Sequence, residues 1–221
     1  MSGDVLTAML QRRGGRAPYV PVVGALAAEL GQVPLDVYAS DAQAQAVALA
    51  QTVQAMHADA ATVGVGTDPA VGCDVLPRLR PLLAGQALAA VVAGPDVAAV
   101  RAYCESGAQV LFVVTAELSP RLKTLANAAR FYDVPTILVD LEAEDAAAVA
   151  AAHGLSGAIV ANPTGEEAGI VGGGLTTDHV AQPGSVPSPP RGDGFFWSFA
   201  GELPTGISPE DLAVLGAALT A

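Results

Sequence analysis

The sequence predicts an α/β protein whose parallel strands close into a compact (β/α)8 barrel of the TIM type. Short apolar runs rich in Val, Ile and Ala alternate with longer amphipathic runs at intervals of roughly 20–30 residues, which is typical of strands buried on both faces of a sheet. The apolar runs number roughly eight, as a closed barrel requires. The alternation weakens toward the C-terminus, so we expect shortened late βα units.

Each predicted strand is an apolar run that ends in turn residues. Pro21 favours an edge or strand-end position for the first run, because Pro cannot donate to a ladder. Only residues 162–169 separate the sixth and seventh runs, too few for a crossover helix, so an open doubly wound parallel sheet is the alternative fold. The predicted strands cover residues 19–24, 60–66, 88–93, 110–114, 136–139, 158–161, 170–171 and 194–200.

Helices are predicted where a capping residue precedes apolar residues at helical spacing. Residues 25–38 have no clear assignment, and residues 182–193 form a Pro-rich loop. The whole chain, residues 1–221, is expected to form a single barrel domain. The predicted helices cover residues 5–11, 42–56, 76–83, 97–106, 119–131, 145–153 and 209–219.

The composition narrows the possible locations and partners. The chain is 52% hydrophobic and 14% charged, so a disordered protein is not expected. It shows no secretory signal and no apolar run of about 20 residues. Two cysteines are too few for a disulfide framework, which indicates reduced thiols and a cytoplasmic protein. A net charge of −12 argues against nucleic acid and anionic membrane as partners, so a bound phosphate would depend on local backbone dipoles.

Carboxylates and other polar residues follow several predicted strands. Because the carboxyl ends of barrel strands face the active site, these side chains are candidates for chemistry or binding. Two carboxylates in differently solvated surroundings can divide acid and base roles, although a strand-end Asp can equally cap the next helix. The candidates are Asp68, Glu117, Asp140, Asn162 and Thr164, with Asp74 near the first.

The glycine-rich stretch at residues 157–175 predicts an anion site. Its two apolar runs end in turns that contain Gly165 and the triplet Gly172, Gly173 and Gly174. Glycines leave backbone N–H groups uncovered, and loops after late barrel strands commonly hold phosphate; the alternative is that the triplet only allows a tight turn. The three histidines show no ligand spacing, so neither a metal nor a cofactor is predicted.

Four segments in the same order resemble the tryptophan synthase alpha subunit family. Residues 58–69 (ADAATVGVGTDP) are similar to its catalytic segment, and residues 158–165 to the strand before its first phosphate loop. Residues 171–175 (VGGGL) and 192–198 (GDGFFWS) resemble its two glycine segments.

This resemblance implies a (β/α)8 barrel that cleaves indole-3-glycerol phosphate by a retro-aldol reaction and docks on a beta subunit. The family's catalytic Glu falls on Thr62, which is no acid or base at neutral pH. Its catalytic Asp falls near Asp74. Its final Gly-Ser pair maps to Ser198 and Phe199, which places Ser198 among the residues expected to hold the phosphate.

The N-terminal half also resembles the uroporphyrinogen decarboxylase superfamily. Residues 16–21 (RAPYVP) and 59–61 (DAA) carry this weaker likeness. That superfamily is also a barrel, but the arginines that clamp its substrate carboxylates are absent from residues 22–28.

Three functional hypotheses follow. The first is a carbon–carbon lyase acting on a small anionic or phosphorylated substrate, in which Asp68 with Asp74 or Asp140 moves protons. The substrate would then be bound by Asn162, Thr164, Gly165, the glycine triplet and Ser198. The second is a non-catalytic binding or regulatory subunit with a partner protein. The third is a decarboxylase.

Overall fold

The computed structural model describes residues 16–83, 85–115, 119–139, 145–161, 163, 169–189, 194–199 and 201–220. Among them, seven parallel strands alternate with helices along the chain. The predicted helix at residues 5–11 lies outside the described residues. In chain order the elements are α1 (Ala25–Leu30), α2 (Leu35–Ser40), α3 (Ala42–Ala55), β1 (Ala60–Val63), α4 (Pro69–Leu79), β2 (Ala87–Ala93), α5 (Val97–Glu105), β3 (Val110–Val114), α6 (Arg121–Phe131), β4 (Thr136–Val139), α7 (Ala146–Ala152), β5 (Gly157–Val160), β6 (Ile170–Leu175), α8 (Thr177–Ala181), a 3-10 turn (Pro183–Ser185), β7 (Phe195–Phe199) and α9 (Pro209–Thr220).

The sheet follows chain order from β1 to β7, and every neighbouring pair is parallel. This arrangement confirms the predicted alternation of strands and helices. The β5–β6 pair is parallel although only nine residues separate the two strands, consistent with a shortened late unit. The alternative of an open doubly wound sheet is wrong, because that fold reverses its strand order.

The two edges of the sheet are joined by residues 18–23, which we call the closing segment. On one side Val20 donates its N–H to the carbonyl of Trp197 in β7, at 2.8 Å. On the other side Asp59, directly before β1, donates its N–H to the carbonyl of Tyr19, also at 2.8 Å. The closing segment therefore occupies the place of an eighth strand and completes the barrel.

The closing segment is not the regular strand that the sequence predicted at residues 19–24. It forms an isolated parallel bridge between Tyr19 and Trp197 rather than a continuous ladder. Pro18 and Pro21 explain this difference, because neither residue has the N–H that a ladder position uses.

Two apolar cores lie on opposite faces of the barrel wall. The outer core packs the strands against the helices and includes Tyr19, Leu49, Leu111 and Trp197. The inner core fills the barrel with side chains from the closing segment and six of the seven strands: Val20, Val22, Ala60, Ala87, Ala89, Val91, Val110, Phe112, Ile137, Val139, Ile159 and Phe196. The barrel is consequently packed through its centre, and its open end lies at the carboxyl ends of the strands.

Two element predictions need correction. The helix expected at residues 76–83 begins earlier, at Pro69, because Asp68 caps it and Pro is favourable in a first turn. Pro77 lies inside its last turn without ending it. The strand expected to stop at Val171 continues through the glycines to Leu175.

Candidate functional site

The candidate site is the end of the barrel at which the strands present their carboxyl termini. The loops that follow β1, β2 and β7 lie there, together with Gly24, which directly follows the closing segment. Of the residues predicted from the sequence, Asp68, Gly172, Gly173, Gly174 and Ser198 lie at or near this end.

Asp68 is exposed and caps α4. Its Oδ1 accepts a hydrogen bond from the Ala70 N–H at 2.8 Å, while its second oxygen makes no hydrogen bond with another described residue. Asp74 lies on the exposed face of α4, in its second turn. A separation of six residues puts the two side chains on different faces of the helix, so the structure does not bring Asp74 to the loop that carries Asp68.

Several predicted site residues lie outside the described residues. They are Asp140, Asn162, Thr164 and Gly165. Glu117, the remaining strand-end candidate, lies outside them as well.

The predicted binding residues Gly172, Gly173, Gly174 and Ser198 lie side by side in β6 and β7. Gly174 is the register partner of Ser198, and Gly173 pairs with Val160 of β5. The glycines are therefore part of the barrel wall rather than of a turn. Gly173 and Gly174 have φ of +138° and +79°, which a residue with a side chain rarely adopts. Ser198 is fully buried, and its hydroxyl donates to the Phe199 carbonyl at 3.2 Å. An anion contact at these residues stays a prediction.

Thr62, on which the resemblance places the catalytic Glu, holds the closing segment. Its hydroxyl donates to the Pro21 carbonyl at 3.1 Å and accepts from the Val23 N–H at 3.2 Å. Only 1% of its surface is exposed. The side chain thus replaces the ladder bonds that the proline-interrupted segment cannot make.

We expect Thr62→Val to lower the free energy of unfolding by about 1–3 kcal/mol, because it leaves two buried backbone groups without their partner. Urea unfolding measures this loss. Thr52→Val is the matched control, since the buried Thr52 hydroxyl donates only to the Ala48 carbonyl inside α3. Equal losses for the two variants would contradict the role assigned to Thr62.

The structure adds a carboxylate that the sequence reasoning missed. Glu202 follows β7, and its Oε1 accepts the Ala25 N–H at the start of α1 at 2.8 Å. A side chain at Gly24 would collide with this carboxylate and with Val65 of the loop after β1. Glu202 therefore lies between the closing segment and the loop that leads to Asp68.

A buried tyrosine lies within electrostatic range of Glu202. Tyr38 of α2 is 2% exposed and interacts electrostatically with Glu202. Burial raises the pKa of Tyr38 well above its ordinary value, while the neighbouring Gln45 side chain of α3 acts in the opposite direction. Tyr38 thus stays protonated at neutral pH.

A second buried tyrosine lies under the loop after β1. Side chains at Gly64 and Gly72 would each meet the Tyr103 hydroxyl at 2.5 Å, so both positions depend on glycine. Burial, Cys73 and Asp68 all raise the pKa of Tyr103. Its hydroxyl has no hydrogen-bond partner among the described residues.

The two thiols are poor nucleophiles. Burial raises the pKa of Cys104 to about 11 and that of Cys73 above its ordinary value. Because the thiolate is the reactive form, neither side chain suits covalent catalysis at neutral pH.

In the part of the chain that the structure describes, no group of three His, Cys, Asp or Glu side chains is placed to hold a metal. None of the described helices combines the length and the apolar character needed to cross a membrane.

A closed barrel of parallel strands with helices outside and polar residues at the carboxyl ends defines the TIM-barrel class. No family model matches the sequence, and no curated protein matches it. Solved structures that are similar over nearly the whole chain support the class, and because all of those described below are under 20% identical, they show the fold alone.

Two of these structures are methyltransferases. A methyltransferase from Methanosarcina mazei has a TM-score of 0.72 and 12% identity, with 97% of this chain and 96% of that chain covered. The homocysteine methyltransferase MmuM from Escherichia coli has a TM-score of 0.60 and 15% identity, with 97% and 99% covered.

Two further structures bear on the sequence-based resemblance. The tryptophan synthase alpha chain of Legionella pneumophila has a TM-score of 0.59 and 10% identity, with 99% of this chain and 96% of that chain covered. KGPDC from Streptococcus mutans, solved in complex with a phosphorylated sugar, has a TM-score of 0.55 and 17% identity, with 91% and 97% covered.

Proposed function

We propose that this protein is a lyase-type enzyme that acts on a small anionic or phosphorylated substrate at the carboxyl end of the barrel. The observation that carries the proposal is the position of Glu202. This carboxylate reaches the end of the barrel at which the resemblance expects a catalytic Glu, but it comes from the chain after β7 instead of from β1.

Glu202 and Asp68 are the proposed acid–base pair. Their loops are neighbours around the closed barrel, with only the closing segment between them. Cleavage of a carbon–carbon bond next to a hydroxyl needs one group to accept the hydroxyl proton and another to donate a proton to the departing carbon. Each carboxylate uses one oxygen to hold a helix N-terminus, which fixes its orientation and leaves the other oxygen for proton transfer.

The test is turnover of indole-3-glycerol phosphate by purified variants. Glu202→Gln and Asp68→Asn preserve a side-chain oxygen for the helix N–H groups but remove the proton-transfer function. We expect either change to lower kcat by roughly 100-fold or more. Glu210→Gln, at an exposed position in the first turn of α9, is the matched control and should leave kcat unchanged. Unchanged turnover in both site variants would contradict the assignment.

A second candidate function, a non-catalytic binding or regulatory subunit, is favoured by Thr62. Its hydroxyl is used entirely for barrel closure, so the strand that carries the family's acid–base residue has a structural role here. Failure of the folded wild-type protein to cleave indole-3-glycerol phosphate, together with a stable complex with another protein, would favour this candidate over the lyase.

A further inference from the structure

A cavity of about 660 Å³ lies between the carboxyl end of β2 and the first turns of α5 and α6. It belongs to the same end of the barrel as Asp68 and Glu202, and among the described residues neither of these carboxylates lines it. The described residues that line it are Ala93, Pro95, Asp96, Val97, Arg121 and Thr124.

Arg121 gives this cavity a positive charge. It is exposed and has no hydrogen-bond or ion-pair partner among the described residues. Most other described arginines have partners: Arg16 binds Asp59, and Arg80 and Arg130 donate to backbone carbonyls. In a chain with a net charge of −12, an anion needs such a local positive group. A guanidinium suits carboxylate and phosphate groups because it can donate two parallel hydrogen bonds.

Asp96 gives the same cavity an acceptor. Its Oδ1 receives both capping hydrogen bonds of α5, from the Ala98 N–H at 2.9 Å and the Ala99 N–H at 3.0 Å. Its Oδ2 makes no hydrogen bond with any other described residue. That oxygen is available to a hydroxyl or amine, whereas it repels a second negative charge.

We propose that this cavity binds the anionic group of a small organic phosphate or carboxylate through Arg121, and that Asp96 accepts a hydrogen bond from a hydroxyl or amine of the same molecule. The inference rests on the proposed function, to which it adds the chemical class of the substrate and the place at which its anionic end binds. Ala93, Pro95 and Val97 add apolar surface suited to a short carbon chain.

The test measures binding of glycerol 3-phosphate and of inorganic phosphate by titration calorimetry, without turnover. Wild-type protein should bind glycerol 3-phosphate more tightly than inorganic phosphate. Arg121→Ala should weaken binding of glycerol 3-phosphate by about 10- to 100-fold. Arg101→Ala removes an exposed arginine from α5 outside the cavity and should bind as the wild type does.

Asp96→Asn distinguishes this arrangement from simple charge attraction. Asn still caps a helix, so the fold is kept. The variant should bind inorganic phosphate more tightly than the wild type does, because a negative charge is gone, and its preference for glycerol 3-phosphate should shrink. Serine is the second probe, because it carries a carboxylate and an amine in place of the phosphate and hydroxyl groups of glycerol 3-phosphate.

Unchanged affinity in Arg121→Ala, or no saturable binding of glycerol 3-phosphate or serine by the folded wild-type protein, would overturn the inference. Glu202→Gln separates failure of the cavity proposal from failure of the proposed function. This variant should lose turnover but bind glycerol 3-phosphate as the wild type does. Lost turnover in Glu202→Gln with unchanged binding in Arg121→Ala would leave the lyase intact and refute only the cavity.

Discussion

Asp59→Ala is expected to lower the free energy of unfolding by about 2–3 kcal/mol. The Asp59 carboxylate accepts two hydrogen bonds from the Arg16 guanidinium, at 2.8 and 2.9 Å, and a third from the Tyr19 N–H at 2.8 Å. The substitution leaves the buried Tyr19 N–H and the Arg16 charge without their partner. Because the Arg16 and Asp59 side chains are 26% and 22% exposed, we expect less than the loss from a fully buried pair.

The fluorescence of Trp197 can be used to follow the unfolding of Asp59→Ala. Trp197 is the only tryptophan of the chain, is 4% exposed, and pairs with the closing segment. Urea unfolding followed by its fluorescence should report a lower midpoint for Asp59→Ala. Faster hydrogen exchange of the Val20 N–H, which bonds the Trp197 carbonyl, would place the opening at the closing segment.

Arg16→Lys and Arg101→Ala complete this experiment. Lys keeps the positive charge but cannot make both hydrogen bonds of the guanidinium. Arg16→Lys should therefore lower the free energy of unfolding by less than Asp59→Ala does. Arg101 is exposed on α5, and its replacement should change the stability by less than about 0.5 kcal/mol. If Asp59→Ala also changed the free energy of unfolding by less than this amount, the closing segment would not depend on the ion pair.

Arg16 and Asp59 also clarify the weaker of the two resemblances. Both residues belong to the segments that resemble the uroporphyrinogen decarboxylase superfamily, and the structure uses them to join the closing segment to β1. They lie before β1 starts, at the opposite end of the barrel from the candidate site. The likeness in these residues is therefore explained by barrel closure and carries no argument for decarboxylation.

The strand positions could be predicted because each strand is buried on both faces. Val110–Val114 and Thr136–Val139 match the predicted bounds, since an uninterrupted apolar run followed by a polar residue leaves little choice. The short helices α1, α2 and α8 were not predicted. Helices of five or six residues show too little periodicity to be recognised.

The candidate site was harder to predict because its parts are distant in the chain. Asp68 could be found, since an Asp-Pro pair after an apolar run marks the end of a strand. Glu202 could not, because its position depends on a contact with Ala25, which lies 177 residues earlier. Only closure of the barrel by residues 18–23 brings these two segments together.

The glycine triplet was correctly noticed in the sequence, but its secondary structure was predicted wrongly. Glycines usually interrupt strands, so residues 172–174 were predicted to form a turn. The structure keeps them in β6 because the neighbouring strand supplies the missing bulk. A side chain at Gly172 would overlap the ring of Phe196 in β7, which faces the barrel interior. The partner that explains Gly172 lies 24 residues further along the chain and could not be identified from the local sequence.

Phe196→Ala is expected to show the largest loss of stability, about 3–5 kcal/mol. The ring is 3% exposed, packs against Phe112 with ring centroids 6.1 Å apart, and covers Gly172. Its removal leaves a cavity in the inner core, whose other side chains come from six different parts of the barrel wall. Thermal or urea unfolding measures the effect, and Phe196→Leu gives a milder variant that should fold where the alanine variant does not.

The effect of Gly172→Ala on the free energy of unfolding should depend on whether Phe196 is present. In the wild type the added methyl group collides with the Phe196 ring, and we expect a loss of about 1–3 kcal/mol. With Phe196 replaced by Leu or Ala, the same methyl group enters vacated space and should cost nothing or restore some stability. A double-mutant cycle measures this coupling, which should exceed about 1 kcal/mol.

Gly184→Ala, where nothing lies within 4 Å of the added atom, is the control and should be neutral with or without Phe196. Additive losses for Gly172→Ala and Phe196→Leu would refute the view that β6 is glycine-rich to make room for Phe196, and would return these glycines to the anion site as their main explanation.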